Sequence, residues 1–129
     1  MTKKKVLQIP YGTKDVLPGE ARVKREIENS IINHFMAWGY DEVEAPTFEY
    51  LDTFVDESTG LLSDSFKFFD RNNQALVLRS DMTKPIARMV ATRLNDGRQI
   101  KRISYLANIF RYEETQAGRQ CEFSQAGVE

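Results

Sequence analysis

The stretch that decides the fold is residues 103–129, which reads ISYLANIFRYEETQAGRQCEFSQAGVE. It begins as an apolar run, passes through a polar loop that contains Gly118, and resumes with spaced polar groups. Apolar runs separated by a polar, glycine-containing segment are typical of two strands joined by a turn. The sequence therefore predicts a β-hairpin with a long turn.

The predicted hairpin carries charged and aromatic side chains that could bind a ligand. Arg111 and Arg119 lie on either side of the loop, where two guanidinium groups could bind a polyphosphate through ion pairs and hydrogen bonds. Phe123 offers an aromatic face, and because alternate residues of a strand share a side, Gln125 and Glu129 lie on the same side of the strand as this ring. Such a surface would fit a nucleotide together with an amine.

The composition indicates one globular domain without an obvious affinity for nucleic acid. A chain of 129 residues with 41% hydrophobic and 29% charged residues can bury a real core. The net charge of −1 makes autonomous tRNA binding unlikely to be its role. Cys121 is the only cysteine, which favours a reducing compartment, the cytoplasm. No apolar stretch approaches the roughly 20 residues that cross a bilayer.

The clearest local element is a helix over residues 18–38. Pro18 suits a first helical turn and Gly39 suits the left-handed position that ends a helix. An apolar stripe recurs every four residues and is expected to pack on a sheet, at Val23, Ile27, Ile31 and Phe35. The rest of the chain before the hairpin is predicted to form a strand over 41–46, a short helix over 47–55, a flexible connection over 56–64, strands over 65–70 and 75–79, and a helix over 84–94.

Four polar residues are candidates for one small pocket. Asp81 and Thr83 follow the strand 75–79 directly, and Gln125 and Glu129 share one side of the last strand. If the two strands are neighbours, these groups could hold a protonated amine and a polar side chain. Simpler roles exist for each: Asp81 could cap the following helix, and Glu129 could be a solvated strand end. No cluster of His and Cys predicts a metal site, and no nucleophile elbow is present.

The phrase FRYE at residues 110–113, followed by GR at 118–119 and FSQ at 123–125, resembles the second signature motif of class II aminoacyl-tRNA synthetases in its histidyl version. Residues 9–18 are similar to the opening of that family, and residues 78–83 to its amino-acid-binding strand end. The resemblance implies an α+β fold, with a class II antiparallel sheet and flanking helices, of which residues 1–129 are the N-terminal part. The same expectation comes from the chain ending inside a predicted strand.

The resemblance also implies roles for individual residues. Histidine would be held at the pocket formed by Asp81, Thr83, Gln125 and Glu129. A nucleotide would be held by Arg111 at the α-phosphate, by Arg119 at the terminal phosphate, by Phe123 stacked on adenine, and at Glu113. On residue types alone, the two arginines could equally form surface ion pairs with neighbouring glutamates, worth under about 1 kcal/mol.

Departures from the synthetase pattern favour a related family. Ser80 and Asp81 stand where the synthetases have proline and glutamate, and residues 113–119 are nearly neutral where the synthetase loop is strongly cationic. Cys121 replaces an arginine, and Ser124 replaces a histidine. In these respects the chain resembles the synthetase paralogues that serve as regulatory subunits of ATP phosphoribosyltransferase.

Membership of that family would imply a protein without catalytic residues or a cofactor of its own. Its partners would be the catalytic subunit of ATP phosphoribosyltransferase and histidine, and it would form a homodimer within a hetero-oligomer. The dimer contact would involve the helix 18–38 and the strand before Pro46. Two alternatives remain: an active histidyl-tRNA synthetase that uses ATP and Mg²⁺, and a stand-alone nucleotide-binding module.

Overall fold

The computed structural model of the chain describes residues 5–55, 64–97, 100–112 and 120–129. The helices and strands, in chain order, are α1 (Pro18–Ala37), β1 (Asp41–Glu42), β2 (Phe48–Tyr50), β3 (Lys67–Phe69), β4 (Ala75–Leu78), α2 (Thr83–Met89), β5 (Ile103–Phe110) and β6 (Glu122–Val128). The strands form two three-stranded sheets, in the orders β1-β5-β6 and β2-β4-β3. The α+β fold class is confirmed.

The predicted terminal hairpin is confirmed and supplies the central strand, β5, and one edge strand, β6, of the first sheet. Strands β5 and β6 are antiparallel, with Ser104 opposite Val128 and Phe110 opposite Glu122. Because side chains alternate along a strand, the odd-numbered residues of both strands share one face. That face, here called the α2 face, packs with α2 in the core cluster Met82, Ile86, Ile103, Tyr105 and Ile109.

The even-numbered side of the hairpin, the α1 face, is crossed by α1. Between them lie two cavities of about 380 and 400 Å³, both lined by Glu28 and Asn108. The charged groups of α1 that line these cavities are already paired, since Lys24 and Arg25 both contact the Glu28 carboxylate. Because two cations share one carboxylate, one positive charge of this cluster remains unbalanced beside the cavities.

Strand β1 is shorter than predicted and runs parallel to its neighbour. Regular pairing covers only Asp41 and Glu42, opposite Ile103 and Ser104 of β5, and one further bond runs from Val43 N to the Ser104 carbonyl oxygen. The first sheet is therefore mixed, with β1 at its edge. A position before a proline suits an edge strand, because proline offers no ladder donor.

Helix α1 ends as its sequence predicts. Gly39 has φ of 80°, Tyr40 N donates to the Phe35 carbonyl, and Gly39 N donates to the Met36 carbonyl. These bonds form a Schellman motif, in which an apolar contact commonly accompanies the glycine. The rings of Phe35 and Tyr40, with centroids 6.4 Å apart, supply that contact.

The predicted packing of the α1 stripe is wrong in its first half. Val23 and Ile27 are 55% and 56% exposed, whereas Glu28, which is not a residue of the stripe, is buried. Burial of this carboxylate is tolerated because Lys24 and Arg25 neutralise it from the same helix. The first half of the apolar stripe is consequently left facing outward.

The predicted short helix over residues 47–55 is also wrong. Phe48–Tyr50 is strand β2, antiparallel to β4, and only Leu51–Thr53 form a 3₁₀ turn. The side chain of Glu49 points inward and accepts two hydrogen bonds from Arg88, at 2.6 and 3.0 Å. This period of two, Phe-Glu-Tyr, matches a strand whose central residue is buried.

The other predicted elements are present with shifted ends. The two strands across the turn 71–74 are β3 and β4, and Asp70 Oδ1 holds the turn by accepting from Asn72 N and Gln74 N. The helix predicted over 84–94 is α2 followed by a π-helical turn, Val90–Leu94. Of the predicted connection 56–64, residues 56–63 lie outside the described part. No helix in the described ranges is long and apolar enough to cross a membrane.

Arg79 joins the two sheets at the point where β4 ends. Its Nε donates to the Asn108 carbonyl at 2.7 Å, and its Nη1 donates to the Ala45 carbonyl at 2.8 Å. Burial lowers the pKa of this guanidinium, and the negative charge of Glu44 acts in the opposite direction. By fixing the end of β4 against β5, Arg79 places the start of α2 beside the hairpin.

Candidate functional site

The start of α2 meets the end of β6, and there the predicted pocket residues come together. Thr83 Oγ1 donates a hydrogen bond of 2.6 Å to Glu129 Oε1, although the two residues are 46 positions apart in sequence. Asp81 lies in the same place and its Oδ1 accepts from Lys84 N at 3.1 Å. Asp81 therefore does hold the first turn of α2, which leaves its second carboxylate oxygen for another partner.

Gln125 lies on the α2 face of β6, four residues before Glu129. Its Oε1 is buried and has no hydrogen-bond partner among the described residues. An unpaired buried acceptor costs about 1 to 3 kcal/mol. A bound ligand that donates a hydrogen bond to this oxygen would remove that cost.

Tyr105 is a member of this site that the sequence reasoning missed. Its side chain is 6% exposed, and it lies directly opposite Gly127 in the hairpin. A Cβ atom on Gly127 would lie only 2.6 Å from Tyr105 Cζ, so the phenol fills the space that the glycine leaves. Burial, followed by the charges of Glu129 and Asp81, raises the pKa of Tyr105. The hydroxyl therefore stays protonated and remains a donor.

Arg111 and Phe123 contact each other at the other end of the same face. The Arg111 Cζ atom lies 5.6 Å from the centre of the Phe123 ring, and Arg111 Nε donates to the Ser80 carbonyl at 3.0 Å. A cation over an aromatic ring contributes about 0.5 to 1 kcal/mol at an exposed position. The Phe123 ring is thus contacted by the Arg111 guanidinium of the same chain. Glu113 and Arg119, the other predicted nucleotide contacts, lie outside the described residues.

The N-terminal loop packs against the hairpin beside this end of the site. Cys121 N donates to the Gly12 carbonyl at 2.7 Å, and Cys121 is buried. Gly12 has φ of 76°, and a Cβ on it would overlap the Cys121 sulfur. The small side chain at position 121 therefore matches the close approach of the loop.

The charges of the site are arranged asymmetrically. The carboxylates of Asp81 and Glu129 lie at one end, and the Arg111 guanidinium lies at the other, beside Phe123. A ligand with an ammonium group at one end and an anionic group at the other would complement this arrangement. Within the ranges that the structure describes, no group of three His, Cys, Asp or Glu side chains could hold a metal ion.

Two relatives that cover nearly the whole chain are named as regulatory subunits of ATP phosphoribosyltransferase. The chain is 50% identical over 124 residues to the ATP phosphoribosyltransferase regulatory subunit of Moorella thermoacetica, covering 95% of this chain and 32% of that protein. It is 45% identical to the protein of that name from Desulforamulus reducens, covering 100% of this chain and 32% of that protein. The chain thus spans about a third of the length of these relatives, and the predicted resemblance to regulatory subunits is confirmed.

Solved structures agree on the fold. A structure described as an ATP phosphoribosyltransferase regulatory subunit/histidyl-tRNA synthetase from Bacillus halodurans superposes with a TM-score of 0.83 at 37% identity, covering 99% of this chain and 33% of that one. The apo histidyl-tRNA synthetase of S. aureus superposes with a TM-score of 0.77 at 27% identity, covering 95% and 28%. The profile of the family described as histidyl-tRNA synthetase matches residues 12–129. Since this match covers nearly the whole chain, including the hairpin and the start of α2, the chain belongs to the histidyl-tRNA synthetase family.

Proposed function

We propose that this chain is part of a regulatory, non-catalytic subunit of ATP phosphoribosyltransferase, the enzyme of the first step of histidine biosynthesis. The observation that carries the proposal is the 50% identity, over 95% of this chain, to a protein named as that subunit. The subunit acts by assembling with a separate catalytic subunit and by responding to histidine. It needs no cofactor of its own.

The end of the site that contains Arg111 and Phe123, here called the nucleotide end, supports the proposed absence of aminoacylation. Catalysis on a phosphate requires preorganised positive charge, and the loop 113–119 contributes Glu113, Glu114 and Arg119, whose charges nearly cancel. Arg111 is engaged with the Phe123 ring and the Ser80 carbonyl. The second candidate, an active histidyl-tRNA synthetase using ATP and Mg²⁺, is favoured by the fold shared with the S. aureus synthetase, but it requires the cationic loop that this sequence lacks.

We further propose that histidine occupies the pocket at the start of α2. The carboxylates of Asp81 and Glu129 would accept from its ammonium group and imidazole, and Gln125 Oε1, buried without a partner, would gain a donor. Thr83, already bonded to Glu129, would keep that carboxylate in place. The proposed location is the cytoplasm, and the net charge of −1 argues against a tRNA partner.

Reconstitution tests the proposal. We expect the full-length protein to bind an ATP phosphoribosyltransferase catalytic subunit, to be required for full phosphoribosyl transfer from phosphoribosyl pyrophosphate to ATP, and to make that turnover sensitive to histidine. Assays with and without the protein, over a range of histidine concentrations, measure this. An unchanged rate and an unchanged inhibition curve on adding the protein would contradict the proposed function.

We also propose that the full-length subunit is a homodimer that buries the outward stripe of α1. Val23 and Ile27 are 55% and 56% exposed on a helix whose other side already covers the sheet, so this apolar surface is available to a second copy. We expect Ile27→Asp to shift the sedimenting species from dimer to monomer, because a charge would be buried in the contact. Asn29→Asp, on the same helix off the stripe, is the matched control. A dimer unaffected by Ile27→Asp would disprove this contact.

A further inference from the structure

We propose that Tyr105 is a specificity-determining residue of the pocket, whose hydroxyl donates a hydrogen bond to an acceptor atom of the bound ligand. The ligand class is a cationic amine that also carries a hydrogen-bond acceptor, such as a ring nitrogen or a carboxylate. This inference rests on the proposed histidine pocket and adds to it a contact that lies between the residues already named.

The position of the hydroxyl follows from the register of the hairpin. Gln125, Gly127 and Glu129 share the α2 face of β6, and about 6 to 7 Å of strand separates each from the next. Tyr105 lies opposite Gly127, and its phenol passes over the glycine closely enough to exclude a Cβ atom. A ligand that contacts both Gln125 and Glu129 must therefore cross the Tyr105 hydroxyl.

The ring of Tyr105 is packed in the core cluster, whereas its hydroxyl lies over Gly127 in the pocket. Met82, Ile86, Ile103 and Ile109 surround the ring in the buried cluster. The side-chain hydrogen bonds seen nearby run from Thr83 to Glu129 and from Lys84 N to Asp81. No hydrogen bond joins the Tyr105 hydroxyl to another described residue, and this hydroxyl is not one of the buried polar atoms that lack a partner. Phenylalanine would fill the same space in the core, so the hydroxyl is a preorganised donor that a ligand in the pocket could use.

The surrounding charges define what that partner can be. The carboxylates of Asp81 and Glu129 lie near enough to raise the pKa of Tyr105, in addition to the effect of burial, so the phenol keeps its proton. The pocket thus offers carboxylate acceptors, the Gln125 Oε1 acceptor and, in the Tyr105 hydroxyl, a neutral donor. Histidine matches this set because it has an ammonium group, a ring N–H, a ring nitrogen acceptor and a carboxylate.

Calorimetric titration of histidine into the full-length protein tests the inference. We expect Tyr105→Phe to weaken binding about tenfold, which corresponds to about 1.4 kcal/mol, with the thermal unfolding midpoint unchanged. Tyr50→Phe, at a 58% exposed position on β2, is the control. Ligand binding should also produce a near-ultraviolet tyrosine difference spectrum in wild-type protein and in Tyr50→Phe that is absent in Tyr105→Phe.

The results that would contradict the role of Tyr105 differ from the results that would contradict the proposed regulatory function. Equal affinities and equal difference spectra for wild-type protein and Tyr105→Phe would overturn the role of Tyr105 and leave the regulatory function intact. Loss of folding in Tyr105→Phe would make the hydroxyl structural, which also overturns the inference. No binding of histidine by the wild-type protein would remove the proposed ligand, and the role of Tyr105 with it, while the reconstitution assay would still report on assembly.

Discussion

Replacing Glu129 by alanine in the full-length subunit should leave the complex with the catalytic subunit assembled and raise the histidine concentration for half-inhibition about thirtyfold. A bound ligand would shield the Glu129 carboxylate from water, and removing one partner of such a shielded charge pair costs about 2 kcal/mol or more, which is a factor of about thirty in affinity. Glu129 is well placed for such a pair, because Thr83 orients its carboxylate through a 2.6 Å hydrogen bond. Assembly is expected to survive, because the side chain is exposed and supports no core contact.

Binding at this pocket regulates turnover only if histidine prefers one state of the complex. Such a preference is typically worth about 1 to 3 kcal/mol of coupling, so inhibition should weaken in parallel with the loss of binding. The competing idea places the effector site on the catalytic subunit or at the junction, with this pocket retained from synthetase ancestry. Under that idea, the Glu129→Ala complex would be inhibited like the wild type.

A matched control is available on the same strand. Glu122 lies on the α1 face of β6, where it accepts a hydrogen bond from Asn108 Nδ2 at 3.0 Å. Glu122→Ala removes the same charge from the same strand without touching the pocket, so its inhibition curve should follow that of the wild type. The pocket would have no regulatory role if the histidine inhibition curves were the same for the wild type, Glu129→Ala and Glu122→Ala.

The elements that could be predicted from the sequence are those whose signals are local. Pro18 and Gly39 bound α1 because one suits the first turn and the other the left-handed position of a Schellman motif. The signals for the two hairpins are also local, because each hairpin consists of an apolar run, a turn and a second apolar run that follow one another in the sequence. The meeting of Thr83 with Glu129 was predicted on the condition that β4 and β6 are neighbours, and that condition is wrong because the two strands lie in different sheets. The two residues meet because Arg79 fixes the end of β4 against β5, the strand that pairs with β6.

The features that the sequence did not reveal depend on tertiary contacts. Phe48–Tyr50 is too short for its alternation of side chains to predict a strand. It is a strand because it pairs with β4, and Arg88, on α2, neutralises the Glu49 carboxylate that lies inward. The burial of Glu28 likewise depends on ion pairs with Lys24 and Arg25, which the pattern of apolar residues does not predict. Tyr105 looked like one more residue of an apolar run, and only its pairing with Gly127 gives it a place in the site.

The full-length protein should show no activation of histidine by ATP, in contrast to the synthetases whose fold it shares. Activation needs positive charge around the phosphates, and the loop 113–119 holds two glutamates for one arginine. Arg111 is meanwhile bonded to the Ser80 carbonyl and stacked on Phe123, the ring that the family resemblance assigns to adenine. Both observations support the proposed absence of catalysis in the full-length protein.

The most direct measurement of this claim is histidine-dependent exchange of pyrophosphate into ATP, with the S. aureus synthetase, a protein of the same fold, as the positive control. For the purified full-length protein we predict no exchange above the background seen without histidine, in preparations that also activate phosphoribosyl transfer by the catalytic subunit. Exchange that rises with histidine concentration would contradict a non-catalytic regulatory subunit and would identify the protein as an active histidyl-tRNA synthetase.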